Sequence, residues 1–323
     1  MNLYPLKFTP ILKDKIWGGN RLKALFGKAA QTDKLGESWE LSGYEGDESV
    51  VSNGFLAGNN LAEIIEIYMG DLVGDRVYDE HGLTFPLLFK LIDANENLSI
   101  QVHPGDEVAY KRHQSFGKTE MWYVVDAEPG AELIIGFNQN CTRETYLEAL
   151  ESGRVEDLLQ HVPVKRGDVF FIPAGLVHAI GKGVMVAEIQ QSSDVTYRIY
   201  DYKRTDDQGN ERELHTAEAL DVISFEASLN PKTHYKPVPN ELTPLVACEY
   251  FNTNMIWMNE ELTRNYGQLD SFVVYMCLEG EFSIESEGSL TEVKSGETVL
   301  IPACLEQVHL KPKSEVRMLE VFV

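Results

Sequence analysis

Gln101 and His103 stand two residues apart in Ser99-Ile100-Gln101-Val102-His103-Pro104-Gly105-Asp106. On a strand, alternate side chains share a face, so the amide and the imidazole point the same way, and Pro104-Gly105 ends the strand behind them. A carboxylate, Glu120, enters the apolar part of Gly117-Lys118-Thr119-Glu120-Met121-Trp122-Tyr123, and a second imidazole, His178, follows the turn Pro173-Ala174-Gly175. Two imidazole nitrogens, one carboxylate and one amide oxygen suit a divalent transition metal. Zinc takes such ligands and keeps an open position in a catalytic site. Non-haem Fe(II) also accepts two His and one carboxylate, so ligand type alone leaves the metal open. The other histidines, His81, His113, His161, His215, His234 and His309, have no such company. The combination at strand ends, rather than any single residue, points to a metal.

Three charged residues stand in apolar runs. Lys90 is the only charge in Pro86 to Ile92, PLLFKLI. A lysine there carries a desolvation cost unless it faces solvent from an edge strand, or lines a pocket for an anion. Glu188 lies in VMVAEIQ and shares a strand face with Val184, Val186 and Gln190; Arg198 lies in TYRIY. Buried, the two could pair with each other, or act as a base and an anion-stabilising group near the metal.

The elements that must hold these groups are mostly strands. Short segments rich in Val, Ile, Phe, Tyr and Trp, bounded by Gly and Pro, run from Leu87 to Ile92, Met121 to Val125, Val169 to Ile172, Val184 to Ile189, Phe272 to Cys277 and Thr298 to Ile301. Their number predicts a mainly β chain built as sandwiches or barrels. Helices are few. Asn59 and Asn60 precede Leu61, Ile64, Ile65 and Tyr68, at helical spacing. Thr142 is placed to cap a second helix with Tyr146, Leu147 and Leu150 on its apolar face, continued after Gly153 by Val155, Leu158 and Leu159.

Val164 to Val177, VKRGDVFFIPAGLV, recurs at an offset of 129 residues as Val293 to Glu306, VKSGETVLIPACLE. This implies two copies of one β-unit. His178 in the first falls opposite Gln307 in the second, so the first copy is expected to carry the site. The proline-rich Asn230 to Asn240 is a natural connection. The expected division is 1–235, with N-terminal strands, the metal site and a small helical segment near 142–159, and 236–323, without a metal site.

Composition narrows the function classes. The chain has 323 residues, with 28 Lys and Arg against 51 Asp and Glu, a net charge of −23. Such a chain is repelled by nucleic acid and by anionic membrane surfaces, and an anionic substrate needs a local cluster of cations. The apolar runs are too short for a membrane helix, and the opening MNLYPLKFTPILKDKIWGG lacks a leader's apolar region and cleavage site, which points to the cytoplasm. Cys141, Cys248, Cys277 and Cys304 are widely spaced and are expected to be reduced.

The segments FPLLFKLIDANENLSIQVHP, GKTEMWYVV, VFFIPAGLVHAI and AEIQQSSDVTYRIYDY, with KFTPILKDKIWGG and GESWELS, resemble the type I mannose-6-phosphate isomerases, zinc enzymes of the cupin superfamily. The likeness runs over about the first two-thirds of the chain. It implies two cupin-like β units and one zinc ion per chain, with His103, Glu120, His178 and Gln101 at the ligand positions, Gln101 the least secure. It places the catalytic arginine at Arg198 and the acidic residue of the site at Glu188, with Lys118 a further candidate for proton transfer and Lys90 and Ser99 in the substrate pocket. Only Thr142 to Leu159 could stand for the large helical insertion of the longest members, as in the short bacterial subtype. The implied reaction interconverts mannose 6-phosphate and fructose 6-phosphate through a cis-enediol, in a monomer or weak homo-oligomer. A non-haem Fe(II) oxygenase and a sugar-binding protein without turnover are the rival readings.

Overall fold

The computed structural model describes residues 3–205 and 209–323; Met1 and Asn2 of the opening segment lie outside them. The fold is mainly β, in two sandwiches. In the first, a six-stranded sheet contains Leu87–Ala94, Glu120–Ala127, Val169–Ile172 and Val184–Gln191. It faces a five-stranded sheet that contains Ile100–Val102, His178–Ile180 and Tyr197–Tyr200. In the second, a seven-stranded sheet with Val273–Glu279, Thr298–Ile301 and Val316–Phe322 covers a four-stranded sheet with Leu262–Asn265 and Gln307–Pro312.

Strand period fixes which side chains face the site. Along Val184–Gln191, the residues Val184 and Val186 enter the interior of the first sandwich with Ile92, Val124 and Phe170. Met185, Ala187 and Ile189 face the other way, into a core shared with Phe272, Val274, Met276 and Leu319 of the second unit. The six- and seven-stranded sheets therefore pack on each other, and both faces of the six-stranded sheet are buried. This is why its strands read as near-continuous apolar runs. It also places Lys90, Glu120, Trp122 and Glu188, on the even-numbered face, inside the first sandwich.

Lys90 is not on an edge strand. Its strand lies between Val184–Gln191 and Leu35–Ser42, and the residue is 3% exposed. The N-terminal strand Leu6–Thr9 crosses the chain division, pairing with Thr298–Ile301 in the second unit's sheet, Leu6 opposite Leu300. The helix Leu61–Tyr68 starts with a capping box: the Asn60 side chain accepts from Glu63 N, and Glu63 accepts from Asn60 N. Thr142 caps Arg143–Glu151, accepting from Thr145 N. The continuation departs from expectation. Val155–Leu158 is a single 3₁₀ turn, and Leu159 begins the strand Leu159–Pro163, where it pairs with Phe137.

Candidate active site

The two sheets of the first sandwich each supply part of the site. Gln101 and His178 face each other across adjacent strands of the five-stranded sheet. His103 follows just past the strand end. Glu120 opens a strand of the six-stranded sheet. The turn before His178 needs its glycine: Gly175 has φ +87°, and a Cβ there would lie 2.8 Å from Val222 O. Gly175 N also donates to His103 O at 2.9 Å, so this turn joins the backbones of both histidines.

His103, Glu120 and His178 are buried and form a group able to hold a metal ion, the one such cluster of three among the described residues. The two Nε2 atoms are 3.1 Å apart, and each lies within 3.6 Å of a Glu120 oxygen. His103 Nδ1 donates to Val195 O at 2.9 Å and His178 Nδ1 to Leu176 O at 2.8 Å. These bonds fix the tautomers so that both Nε2 lone pairs face the cluster. Burial holds both imidazoles neutral, pushing His178 down to about 4 and His103 well below its ordinary value, the latter with help from the Lys118 charge. The Glu120 carboxyl is pushed up by the same burial. Neither of its oxygens has a well-formed hydrogen bond. Buried polar atoms are rarely left so, and a cation would satisfy both. Neutral imidazoles with an orphaned carboxylate therefore fit a transition metal. Gln101 Nε2 lies 3.4 Å from His178 Nε2, and a half-turn of the amide brings its oxygen to the same place.

The cluster adjoins a cavity of about 270 Å³ lined by Lys15, Glu37, Lys90, Ser99, Lys118, Trp122, Glu188, Asp194, Arg198 and Arg212, among others. Lys118 Nζ reaches 3.2 Å from His103 Nε2 and 3.4 Å from Glu120 Oε2. Ser99 Oγ is 3.5 Å from Gln101 Oε1. Glu188 does not pair with Arg198. Its Oε2 lies 3.3 Å from Lys90 Nζ, and its Oε1 accepts from Trp122 Nε1 at 2.9 Å. Burial acts to raise the Glu188 carboxyl, but the Lys90 and Lys118 charges and the indole bond outweigh it, and the group is held below the usual carboxylate range. Arg198 donates to Glu213 O at 2.7 Å; its Nε is buried without a hydrogen-bond partner, and burial together with Arg212 lowers its pKa. The structure thus brings every sequence-identified site residue to one cluster and its adjoining cavity. It adds Asp194, exposed on the loop between the Glu188 and Arg198 strands, and Arg212, fixed on Asp201. Neither stands in an apolar run, so a search for misplaced charges passes over both.

Comparison with known proteins agrees with this geometry. Residues 5–142 match the family description "Phosphomannose isomerase type I, catalytic domain", and residues 241–321 match "Mannose-6-phosphate isomerase, cupin domain". The chain is 38% identical over 321 residues to mannose-6-phosphate isomerase ManA of Bacillus subtilis (strain 168), covering 98% of each chain. It is 40% identical over 248 residues to the mannose-6-phosphate isomerase of Streptococcus mutans, covering 76% of this chain and 77% of that one. The crystal structure of the mannose 6-phosphate isomerase from Bacillus subtilis superposes with a TM-score of 0.87 at 32% identity, over 99% of this chain and 100% of that one. A two-sandwich cupin whose buried His-Glu-His group could hold a metal ion defines the class, a cupin enzyme. Within that class the chain belongs to the type I mannose-6-phosphate isomerase family.

Proposed function

We propose that the protein is a zinc-dependent mannose-6-phosphate isomerase, interconverting mannose 6-phosphate and fructose 6-phosphate through a cis-enediol. The carrying observation is the orphaned Glu120 carboxylate facing two imidazoles whose tautomers are already fixed, beside a cavity lined by Lys118, Glu188 and Arg198. His103, Glu120 and His178 hold the ion, with Gln101 as a weaker fourth ligand. Zinc held there would supply Lewis acidity that stabilises negative charge developing on the sugar.

From mannose 6-phosphate, a base takes the C2 proton, O1 gains a proton, and C1 then receives a proton while O2 gives one up. Glu188, held ionised by Lys90, is our candidate to carry the proton between carbons. Lys118, beside the metal ligands, is the candidate to exchange protons with the sugar oxygens. Arg198 stabilises the negative charge that develops as C2 loses its proton. Lys90 and Ser99 contact the substrate from the cavity wall. The reading places the protein in the cytoplasm as a monomer or weak homo-oligomer, acting on a phosphosugar and not on nucleic acid or membrane. No helix among the described residues is long and apolar enough to cross a membrane.

The test is a coupled assay that follows fructose 6-phosphate. Turnover of mannose 6-phosphate that disappears with a chelator and returns with zinc supports the reading. Turnover unchanged after the metal is removed refutes it.

A further inference from the structure

Arg198 lies on Tyr197–Tyr200, an edge strand of the five-stranded sheet. An edge strand presents a row of backbone N–H and C=O groups that no neighbouring strand takes up. At Arg198 a single residue takes both. His215 N donates to Arg198 O at 2.8 Å, and Arg198 N donates to His215 Nδ1 at 3.1 Å. The ring nitrogen stands in for the carbonyl that a further strand would offer. Two residues earlier, Glu213 O accepts from Arg198 Nη1 at 2.7 Å. The segment 213–215 therefore grips Arg198 by its main chain on both sides of Cα and by one nitrogen of its guanidinium.

The imidazole is committed to this bond. His215 occupies the N-cap position of the helix Thr216–Leu220, where a side-chain acceptor commonly takes one of the helix's first N–H groups, yet it makes no such bond. The Tyr197 ring lies beside it, centroids 6.3 Å apart, and Tyr197 Oη is itself 2.9 Å from His113 Nε2. To accept from Arg198 N, Nδ1 must be the unprotonated nitrogen, which places the ring proton on Nε2. What the grip leaves free is equally specific. Arg198 Nε is buried without a hydrogen-bond partner, and the residue lines the cavity, opposite Gln101 in the strand register. A guanidinium held at one nitrogen and along its main chain presents its remaining N–H groups in a fixed direction, as a preorganised anion-stabilising group requires.

We infer that His215 is a positioning residue for Arg198: its Nδ1 and its backbone N–H fix the strand edge from which the guanidinium reaches the reacting end of the cavity. This rests on the reading of Arg198 as the group that stabilises charge developing on the sugar. The backbone N–H of residue 215 survives any substitution, so a change of side chain removes only the ring's bond. Asparagine carries an acceptor oxygen at the position of Nδ1 and can keep that bond. Glutamine is one methylene longer, carries its amide nearer the position of Nε2, and leaves Arg198 N without its acceptor.

The experiment compares wild type with His215→Asn, His215→Gln, Arg198→Lys and the double variant of His215→Gln with Arg198→Lys, each checked for zinc content and melting temperature. It measures kcat and KM for mannose 6-phosphate, and hydrogen exchange at the residue 198 amide by NMR. We expect His215→Gln to lower kcat about tenfold with KM within about threefold of wild type, and to speed exchange at the Arg198 amide about fivefold or more, at full zinc content. His215→Asn should recover most of both losses. In the Arg198→Lys background, His215→Gln should change kcat by less than about twofold, because the two residues act as one unit. An unchanged kcat in His215→Gln overturns the inference. So does an equal fall in the Arg198→Lys background, which a merely structural role predicts, and so does a His215→Asn protein as impaired as His215→Gln. If His215→Gln does not fold, the same criteria apply to His215→Ala. If wild type does not turn over mannose 6-phosphate while His215→Gln frees the Arg198 amide and His215→Asn does not, the grip on Arg198 stands and the proposed activity falls. If wild type turns over normally and exchange at Arg198 ignores position 215, the activity stands and the inference falls.

Discussion

Replacing Lys90 by methionine isolates the buried pair that sets the charge of Glu188. The two charged atoms are 3.3 Å apart, in side chains 3% and 4% exposed. At an effective dielectric constant of about 20, their attraction is about 5 kcal/mol. Removing two ions from water costs several kcal/mol each, so the intact pair is close to neutral for stability. The broken pair is not neutral: Glu188 stays buried with only the Trp122 indole and the more distant Lys118 to offset its charge. Lys90→Met is therefore expected to destabilise the fold by about 3–5 kcal/mol, seen as a drop in Tm on the order of 10 °C. Lys90→Met with Glu188→Gln should regain most of that loss while remaining inactive. The pH dependence follows from the directions of shift. Glu188 lies below its ordinary 4.5 in the fold, so its contribution is present above that value and is lost as pH falls through the lower folded value. Lys90 lies above its ordinary 10.5, so its contribution is complete below 10.5 and is lost as pH rises through the folded value. Between those limits the pair in wild type contributes a plateau. In Lys90→Met, burial raises the Glu188 carboxyl and protonation relieves the unpaired charge, so the Tm gap to wild type should narrow as pH falls from 8 to 5. Thermal melts across that range are the assay. A Lys90→Met protein melting within about 1 °C of wild type at pH 8, against the drop expected above, would show that the Lys90 charge does not support Glu188.

The proposed metal ligands give the next expectation: His103→Ala, Glu120→Ala and His178→Ala should each lose most bound zinc by elemental analysis, because three protein ligands leave no spare, whereas Gln101→Ala should lose less. Full occupancy in all three would refute the assignment. Arg198→Lys should fold and keep its zinc but lose turnover by about 10²-fold, the scale of one anion-stabilising donor; near wild-type turnover would exclude a specific role for the guanidinium. The second unit also braces the site: Tyr250 Oη donates to Asp106 Oδ2 at 2.6 Å, and Asp106 Oδ1 accepts from Gly117 N and from Gln191 Nε2, supporting the segment that carries Lys118 and Glu120. Tyr250→Phe should cost about 1 kcal/mol in denaturant unfolding, the value of one such bond, and lower kcat less than tenfold; a stability equal to wild type would show that this contact carries no load.

The parts of the fold that could be read in the sequence are those fixed by local rules. Val169–Ile172 and Thr298–Ile301 fall where expected, because short apolar β-branched runs closed by an Ile-Pro step leave little choice of register. Leu159 departs from the helical continuation expected of it. The spacing of Val155, Leu158 and Leu159 fits a helical turn as well as it fits a 3₁₀ turn leading into a strand, and pairing with Phe137, distant in sequence, decides it. Long-range pairing also hides the entry of Leu6–Thr9 into the second unit's sheet. The anomalous charges at Lys90, Glu188 and Arg198 were visible because their neighbours are apolar. Which of them pair was not, since sheet order sets Glu188 against Lys90 across the strands. Arg212 and Asp194 sit in polar stretches, where a charge carries no signal until the fold brings it to the cavity.

The two sandwiches show what separates a site from a scaffold. The strand registers make Glu320 the counterpart of Glu188: Glu188 stands opposite Lys90 and Trp122, and Glu320 opposite Asn254 and Tyr275. Both carboxylates are buried, Glu320 completely. At the positions matching Gln101, Glu120 and His178, the second unit has Asn265, Val273 and Gln307, so a transition metal finds neither imidazole nor carboxylate there. The acid itself persists, but its surroundings differ. Glu320 accepts from Arg264 Nε at 2.8 Å, Tyr266 Oη at 2.6 Å and Asn254 Nδ2 at 2.8 Å, so both of its oxygens are occupied by fixed donors. Glu188 has one good hydrogen bond, from Trp122, and a lysine at 3.3 Å, and its Oε2 has no hydrogen-bond partner beside an open cavity. A buried carboxylate saturated by fixed donors contributes to the fold. One held ionised by a single close cation, with an unfilled oxygen at the cavity wall, can take and return a proton. The same register position thus holds a saturated acid in one unit and, in the other, the acid proposed to carry the proton, and the number of donors around each distinguishes them.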